Sequence, residues 1–322
     1  MAKFKVLMTD TIFPDVAIER RVVSELDADF VFAGSKDAQT LKKEGADADA
    51  VLVVFAQLTR EVIEAWSKCR IIARAGIGVN NIDIEAATER GIKVTNVPDY
   101  CFDEVASHAM ALALSCLRRT VLYAKSVKSG VWDMNLGRPI ARICGLTFGL
   151  FGFGHIAQAV ALRAKAFGMK IVAYDPYLPD SVFSSAGVQR AADWDAFLAE
   201  VDVLSLHAPL TESTQGIINA KALSRMKKSA IIINTARGPL INEKDLREAL
   251  EKGVIAQAGL DVLESEPPAA GGIQTLENAI VTPHAAFYSD EAELELREKT
   301  ARQIVLELTT GEPAYWFNRP KK

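Results

Sequence analysis

The sequence predicts an α/β protein built from two doubly wound parallel sheets, on three observations. Short apolar segments recur about every 20 residues from the N-terminus, with amphipathic stretches between them. A second series of the same kind fills the later half of the chain. At its head, a strand-like apolar run passes through a glycine-rich turn straight into a helical stretch.

In the first series, Val6-Leu7-Met8, Phe30-Val31-Phe32, Ala50 to Val54, Ile71 to Ala73 and Lys93-Val94-Thr95 read as strands. Helical patterns run from about Val16 to Leu26, Thr59 to Trp66 and Ile84 to Glu89. The turn at residues 74–83 is rich in glycine, and the amides of Gly76, Ile77, Gly78 and Val79 could hold a small carboxylate. It reads equally well as a plain strand-to-helix turn capped by Asn81 or Asp83. After Pro98-Asp99 a long helix is expected from about Asp103 to Ala124, carrying His108, for which a packed, hydrogen-bonded histidine is the commonest explanation. Residues 125–147 are mixed, and Trp132 there reads as exposed, as in an oligomerisation arm.

The second series opens with Phe148-Gly149-Leu150-Phe151 and the turn Gly152-Phe153-Gly154. The spacing Gly152-x-Gly154-x-x-Ala157 is a dinucleotide fingerprint. Gly152 permits the tight turn, Gly154 lets backbone approach a pyrophosphate, and Ala157 lets the helix sit close to the strand. The helix N-terminus adds free amides and a partial positive charge. The next strand, Lys170 to Tyr174, ends in Asp175, an acid placed to accept both ribose hydroxyls and to repel a 2′-phosphate. No arginine follows before Arg190, so NAD is expected rather than NADP. Further strands are read at Val203 to Leu206, Ala230 to Asn234, Ile255 to Leu260 and Ala279 to Thr282. Helices are read at about 156–167, 194–198, 220–226 and 243–251. The last helix starts near Ser289 or Asp290, where Asp290-x-x-Glu293 fits a capping box, and stops at Gly311.

At 322 residues and 49% hydrophobic content, the chain can bury two domain cores. A net charge of −4 and a pI near 5.7, with no basic stripe, argue against nucleic-acid binding. Cys69, Cys101, Cys116 and Cys144 show no CxxC spacing and read as reduced core residues, with no metal expected. The N-terminus enters a strand without a secretory region, and no apolar run approaches the roughly 20 residues of a membrane helix. A soluble, cytoplasmic protein without a membrane partner is expected.

Three groups fall at late strand ends, where open α/β sheets bind ligands: Arg237 after Asn234-Thr235-Ala236, Glu266 before Pro267-Pro268, and His284 after Thr282-Pro283. Arginine can clamp a substrate carboxylate through its fork of donors. A histidine tuned by a glutamate can pass a proton to or from an adjacent oxygen. Taken singly, each is also an ordinary helix-start arginine, surface acid or strand-end histidine.

Across essentially its whole length the sequence resembles the D-isomer-specific 2-hydroxyacid dehydrogenases. The resemblance rests on the Gly-Phe-Gly-His-Ile-Ala fingerprint, Leu206-His207-Ala208-Pro209-Leu210-Thr211 and Asn234-Thr235-Ala236-Arg237-Gly238. Gly259-Leu260-Asp261-Val262 through Glu266-Pro267 and Thr282-Pro283-His284 complete it. It implies a catalytic set of Arg237, Glu266 and His284, with the last two paired. It further implies NAD contacts at Gly152, Gly154, His155, Ile156 and Asp175, at His207, Pro209 and Thr214, and at Thr235, Ala236 and Asp261. Substrate contacts would come from Gly76, Ile77, Gly78, Val79, Cys101 and Phe287.

By the same resemblance, a Rossmann NAD domain, 101–289, is inserted into a flavodoxin-like substrate domain, 1–100 and 290–322, and the protein is a homodimer. The expected activity is reduction of a 2-oxo acid, or oxidation of the 2-hydroxy acid. Within the family, Pro283-His284-Ala285-Ala286-Phe287-Tyr288-Ser289 is similar to the C-terminal binding protein branch, whose NAD-sensing corepressors give the alternative role. Asn80, Cys101 and Gln57 depart from the pattern of many members. Phosphoglycerate-specific members carry arginines where Phe55-Ala56-Gln57-Leu58-Thr59 stands.

Overall fold

Ala50-Val51-Leu52-Val53 is buried at every residue, the pattern of a parallel strand covered on both faces. The computed structural model, which describes residues 2–320, sets this run in the middle of a five-stranded parallel sheet. Its strands are β1 (Phe4–Met8), β2 (Ala28–Phe32), β3 (Ala50–Val53), β4 (Ile71–Arg74) and β5 (Lys93–Thr95), in the order β2-β1-β3-β4-β5. That is the flavodoxin-like order. Leu7, Leu41, Val51, Trp66, Ile72 and Val94 share one core, and Trp66 Nε1 donates to the Leu41 carbonyl at 3.0 Å.

This compact unit comprises residues 1–100 together with 289–322. The distant C-terminal segment is bound into it by its long helix, Asp290–Thr310, on which Leu296, Ala301, Ile304 and Leu308 are buried. Arg297 on that helix is 4% exposed and meets Glu19 at 2.8 Å, Asp15 at 3.0 Å and Glu293 at 3.3 Å. A buried guanidinium is tolerable only with such partners.

The second unit spans residues 101–288. Its strands are β6 (Thr147–Phe151), β7 (Lys170–Tyr174), β8 (Gln189–Arg190), β9 (Val203–Leu206), β10 (Ile231–Asn234), β11 (Gln257–Leu260) and β12 (Ala279–Val281). They form a parallel seven-stranded sheet in the order β12-β11-β10-β9-β6-β7-β8. The chain reverses direction across the sheet between β6 and β9, the topological switch point at which doubly wound folds bind ligands.

Several elements differ from the sequence expectation. The single helix expected over 103–124 is two, Phe102–Arg118 and Thr120–Lys128, because Arg119 adopts left-handed backbone with φ 56°. The last helix is capped by Ser289, whose hydroxyl accepts from the Ala292 amide. Glu293 turns to Arg297 rather than closing a capping box. The helices Ala38–Gly45 and Asp180–Ser185 and the two-residue strand β8 are too short or too polar for a periodic apolar signal. Among the described residues, no helix is long and apolar enough to cross a membrane.

Candidate active site

The glycine loop follows β6 at the switch point. Gly152 has φ 83°, and a Cβ there would stand 2.8 Å from the Ala208 amide nitrogen, so only glycine fits both the turn and the contact. Its amide donates to the Tyr174 carbonyl at 3.0 Å. Around Gly154 a Cβ would meet nothing within 4 Å, leaving open space over the helix His155–Ala166. Ala157 is fully buried, as close helix–sheet contact requires. The His155 ring stacks on Phe102 with centroids 5.0 Å apart, and Ile156 packs partly buried against the sheet core.

Asp175, at the end of β7, is tied to the same loop. One carboxylate oxygen accepts from the Phe153 amide at 3.0 Å, the other from the Tyr177 amide at 2.9 Å. Arg190, distant in sequence, comes back on β8 and donates through Nη2 to the Asp175 carbonyl at 3.1 Å. Register decides that approach: β7 pairs with β8, Ala173 beside Arg190.

Past β9, the ring of His207 lies with Nε2 2.9 Å from Ser205 Oγ. Burial pushes its pKa down to about 4, so the imidazole is neutral at ordinary pH. Pro209 and Thr214 belong to one stitched turn, in which the Thr214 hydroxyl donates to the Pro209 carbonyl at 2.7 Å. Past β10, buried Asn234 clamps the following loop: its side-chain oxygen accepts from the Ala236 amide at 3.0 Å, and its nitrogen donates to the Arg237 carbonyl at 2.9 Å. The sequence reading gave Asn234 no role, although a polar residue closing an Ile-Ile-Ile strand was a visible signal. A Cβ on Gly238 would fall 1.9 Å from the Leu263 carbonyl oxygen, so this loop lies directly against the one after β11.

The three candidate catalytic groups come together here. Glu266 Oε2 lies 2.7 Å from His284 Nδ1, and its other oxygen accepts from the Leu263 amide at 3.0 Å. Partial burial works to raise the Glu266 pKa. The His284 hydrogen bond and charge, the Leu263 amide and the charge of Arg237 outweigh it and hold the carboxyl below its usual range. Arg237 donates through Nη1 to the Ala236 carbonyl at 2.6 Å.

His284 itself has φ 53°, a strained conformation for a residue with a Cβ. The Asp261 carboxylate, 1% exposed, accepts from the amides of Ala285 and Ala286, each at 2.9 Å, and from the Thr282 hydroxyl at 2.6 Å. The Asp261 carbonyl accepts from the His284 amide at 2.9 Å. Asp261 therefore acts in the structure as the anchor of the loop that carries His284. Strained backbone of this kind persists where the surroundings over-determine it.

The description "D-isomer specific 2-hydroxyacid dehydrogenase, NAD binding domain" matches residues 110–286. The chain belongs to the D-isomer-specific 2-hydroxyacid dehydrogenase family. It is 42% identical to D-3-phosphoglycerate dehydrogenase of Methanocaldococcus jannaschii over 94% of its own length, and spans 56% of that relative. It is 39% identical to hydroxypyruvate reductase of Thermotoga maritima over 94% of its length and 99% of the relative. Among solved structures, the D-lactate dehydrogenase of Aquifex aeolicus, complexed with NAD and lactic acid, superposes with a TM-score of 0.89 at 27% identity. That match covers 98% of this chain and all of the other. Membership places the protein among NAD(P)-dependent oxidoreductases of 2-hydroxy acids.

In this 2-hydroxyacid dehydrogenase the residues fit a dinucleotide. The buried Thr235 hydroxyl has no hydrogen-bond partner within the protein, and the space around Gly154 is open. Among the candidates for substrate binding, Phe287 makes a T-shaped pair with His284, the ring centroids 6.3 Å apart and the planes at 77°. Cys101 is 1% exposed and precedes the helix Phe102–Arg118. In the first unit, the carbonyls of Gly76 and Ile77 are tied inward by the Val97 amide at 3.0 Å and Asn96 Nδ2 at 2.7 Å. Asp83 caps the following helix through the Ala86 amide at 2.8 Å. Asn81 instead donates to the Ala56 carbonyl at 3.0 Å. Among the described residues, no cluster of three or more His, Cys, Asp or Glu could hold a metal ion.

Proposed function

We propose that the protein is an NAD-dependent D-2-hydroxyacid dehydrogenase that works mainly as a reductase of small 2-oxo acids, with His284 as the acid–base group. The observation that carries this reading is the 2.7 Å contact between His284 Nδ1 and a Glu266 held in its ionised form. Bound NADH would supply the hydride. Glu266 holds the imidazole through Nδ1, so the other ring nitrogen, Nε2, is the one left to pass a proton to or from the oxygen at C2. Arg237, held by the Asn234 clamp, takes the substrate carboxylate through its fork. Phe287 walls the carbon beside that carboxylate.

Thr235, Ala236, His207, Pro209 and Thr214 line the cofactor, with the pyrophosphate on Gly152, Gly154, His155 and Ile156. Asp175 selects the unphosphorylated ribose. The protein is cytoplasmic and a homodimer: Val121 (50%), Val127 (49%), Val131 (46%), Trp132 (89%), Met134 (67%) and Leu136 (47%) are exposed along one segment, a concentration of apolar surface that a second copy would cover.

A second reading, reduction of a phosphorylated 2-oxo acid, is favoured by one contact. Lys36 Nζ lies 5.2 Å from the ring centre of Phe55, bringing a cation to the loop that otherwise offers Gln57. The deciding experiment is oxidation of NADH against pyruvate, glyoxylate, hydroxypyruvate and phosphohydroxypyruvate. Turnover of the small acids in the lead supports the proposal, and a clear lead for phosphohydroxypyruvate supports the second reading. NADH binding without turnover on any of them would leave an NAD-sensing role in place of an enzyme.

A further inference from the structure

We propose that His108 is a positioning residue for the reaction: its Nε2–H fixes the Thr282 hydroxyl, which orients the Asp261 carboxylate that shapes the backbone carrying His284. His108 stands on the helix Phe102–Arg118 beside Val105 and Leu112, on the shoulder of its buried face, and its side chain is 25% exposed. Its Nε2 lies 2.9 Å from Thr282 Oγ1 and 3.5 Å from Asp261 Oδ1.

The direction of these bonds follows from counting protons. Both Asp261 oxygens already accept backbone amides, from Ala285 and Ala286. The carboxylate therefore accepts from Thr282 as well, at 2.6 Å, and the single hydroxyl proton is used there. What remains on Thr282 Oγ1 is an acceptor, so His108 must donate to it, which places the proton on Nε2. Without that donor, the threonine side chain loses the partner that selects its rotamer. The shortest hydrogen bond to Asp261, from Thr282 at 2.6 Å, is then no longer fixed, and it is Asp261 that holds the loop of 282–286 by side chain and main chain together. His284, at φ 53°, is the residue in this loop most dependent on such determination.

The test replaces His108 by Ala and by Gln, the latter because its side-chain amide carries an N–H near the place of Nε2. Its kinetic arm rests on the function proposed above. With His108→Ala, kcat should fall about tenfold while KM for the oxo acid and Kd for NADH stay within about twofold. His108→Gln should recover to within about threefold of the unaltered protein. A second arm needs no turnover. The chain has four histidines, so the His284 Cε1–H resonance can be assigned by its loss in His284→Ala. That resonance should shift or broaden in His108→Ala and return in His108→Gln.

An unchanged kcat with an unchanged His284 resonance in His108→Ala overturns the proposal. So does a loss of cofactor affinity and Tm together that His108→Gln fails to repair, since that marks general packing. Should His108→Ala not fold, Thr282→Val carries the same comparison. If the unaltered protein reduces no 2-oxo acid, the proposed function falls, and the resonance still decides whether His108 and His284 are coupled.

Discussion

Glu266 and His284, eighteen residues apart in the chain, meet at 2.7 Å because the loops after two neighbouring strands, β11 and β12, fold against each other. The carboxylate is ionised across the working range, so the imidazole beside it has a permanent partner charge. Replacing His284 by Ala should lower kcat by about 10²- to 10⁴-fold with NADH affinity nearly unchanged, as titration of cofactor fluorescence would check. With Glu266→Gln, kcat for reduction should fall about tenfold or more while NADH affinity stays nearly unchanged, since the imidazole loses the carboxylate that orients it at 2.7 Å. The lowered Glu266 pKa also has a stability consequence of definite sign. Its contribution is complete above the ordinary glutamate range and is lost as pH falls through the lowered value.

His207 gives a second pH dependence of known sign. Pushed down to about 4 by desolvation, its imidazole stays neutral in the folded protein while the unfolded chain takes a proton near 6.5. Stability is therefore full above 6.5 and declines on acidification, by about 2 kcal/mol between pH 7 and pH 5. Urea unfolding at the two pH values should show this loss, and His207→Gln should remove most of it. An equal loss in the variant would assign the effect to other groups.

Cofactor choice should turn on Asp175 and Arg190 together. NAD should bind more tightly than NADP to the unaltered protein, and Asp175→Ala should narrow the gap. Because Arg190 reaches the Asp175 carbonyl at 3.1 Å, its charge is in place to assist a 2′-phosphate once the carboxylate is gone. Asp175→Ala with Arg190→Ala should then lose the gain in NADP affinity, which calorimetry with both cofactors would reveal.

Substrate choice should respond to Phe287, whose ring lies at 77° to the His284 imidazole with centroids 6.3 Å apart. Phe287→Ala should reduce kcat/KM about tenfold for 2-oxo acids with modest apolar side chains and much less for glyoxylate, in line with one or two lost methylene contacts. A uniform loss across the panel would place Phe287 in support of His284 rather than in selection.

Much of this site was legible before any coordinates. The glycine turn, Asp175 and the strand-end Arg237, Glu266 and His284 carry their meaning in residue type and spacing, because a parallel sheet places every strand's carboxyl end on the same edge. Elements with a strong apolar period, such as Ile84–Glu89, Lys170–Tyr174 and Glu243–Glu251, were readable to the residue. Arg119, by contrast, breaks a helix through one left-handed backbone conformation at an arginine, for which composition holds no signal.

The residues alone determined the class of the fold, its two sheets and the chemistry available at the strand ends, since burial periodicity and glycine geometry are local properties. Only the tertiary structure decided which groups act on which. Arg190 reaches Asp175 through the pairing of β7 with β8. Asp261 turns its carboxylate onto the loop of His284, and His108 reaches Thr282 from a helix 174 residues away in sequence. Such contacts depend on strand register and on the rotation of a helix about its axis. Both are set by the summed packing of the core, in which no single stretch of sequence has the deciding share.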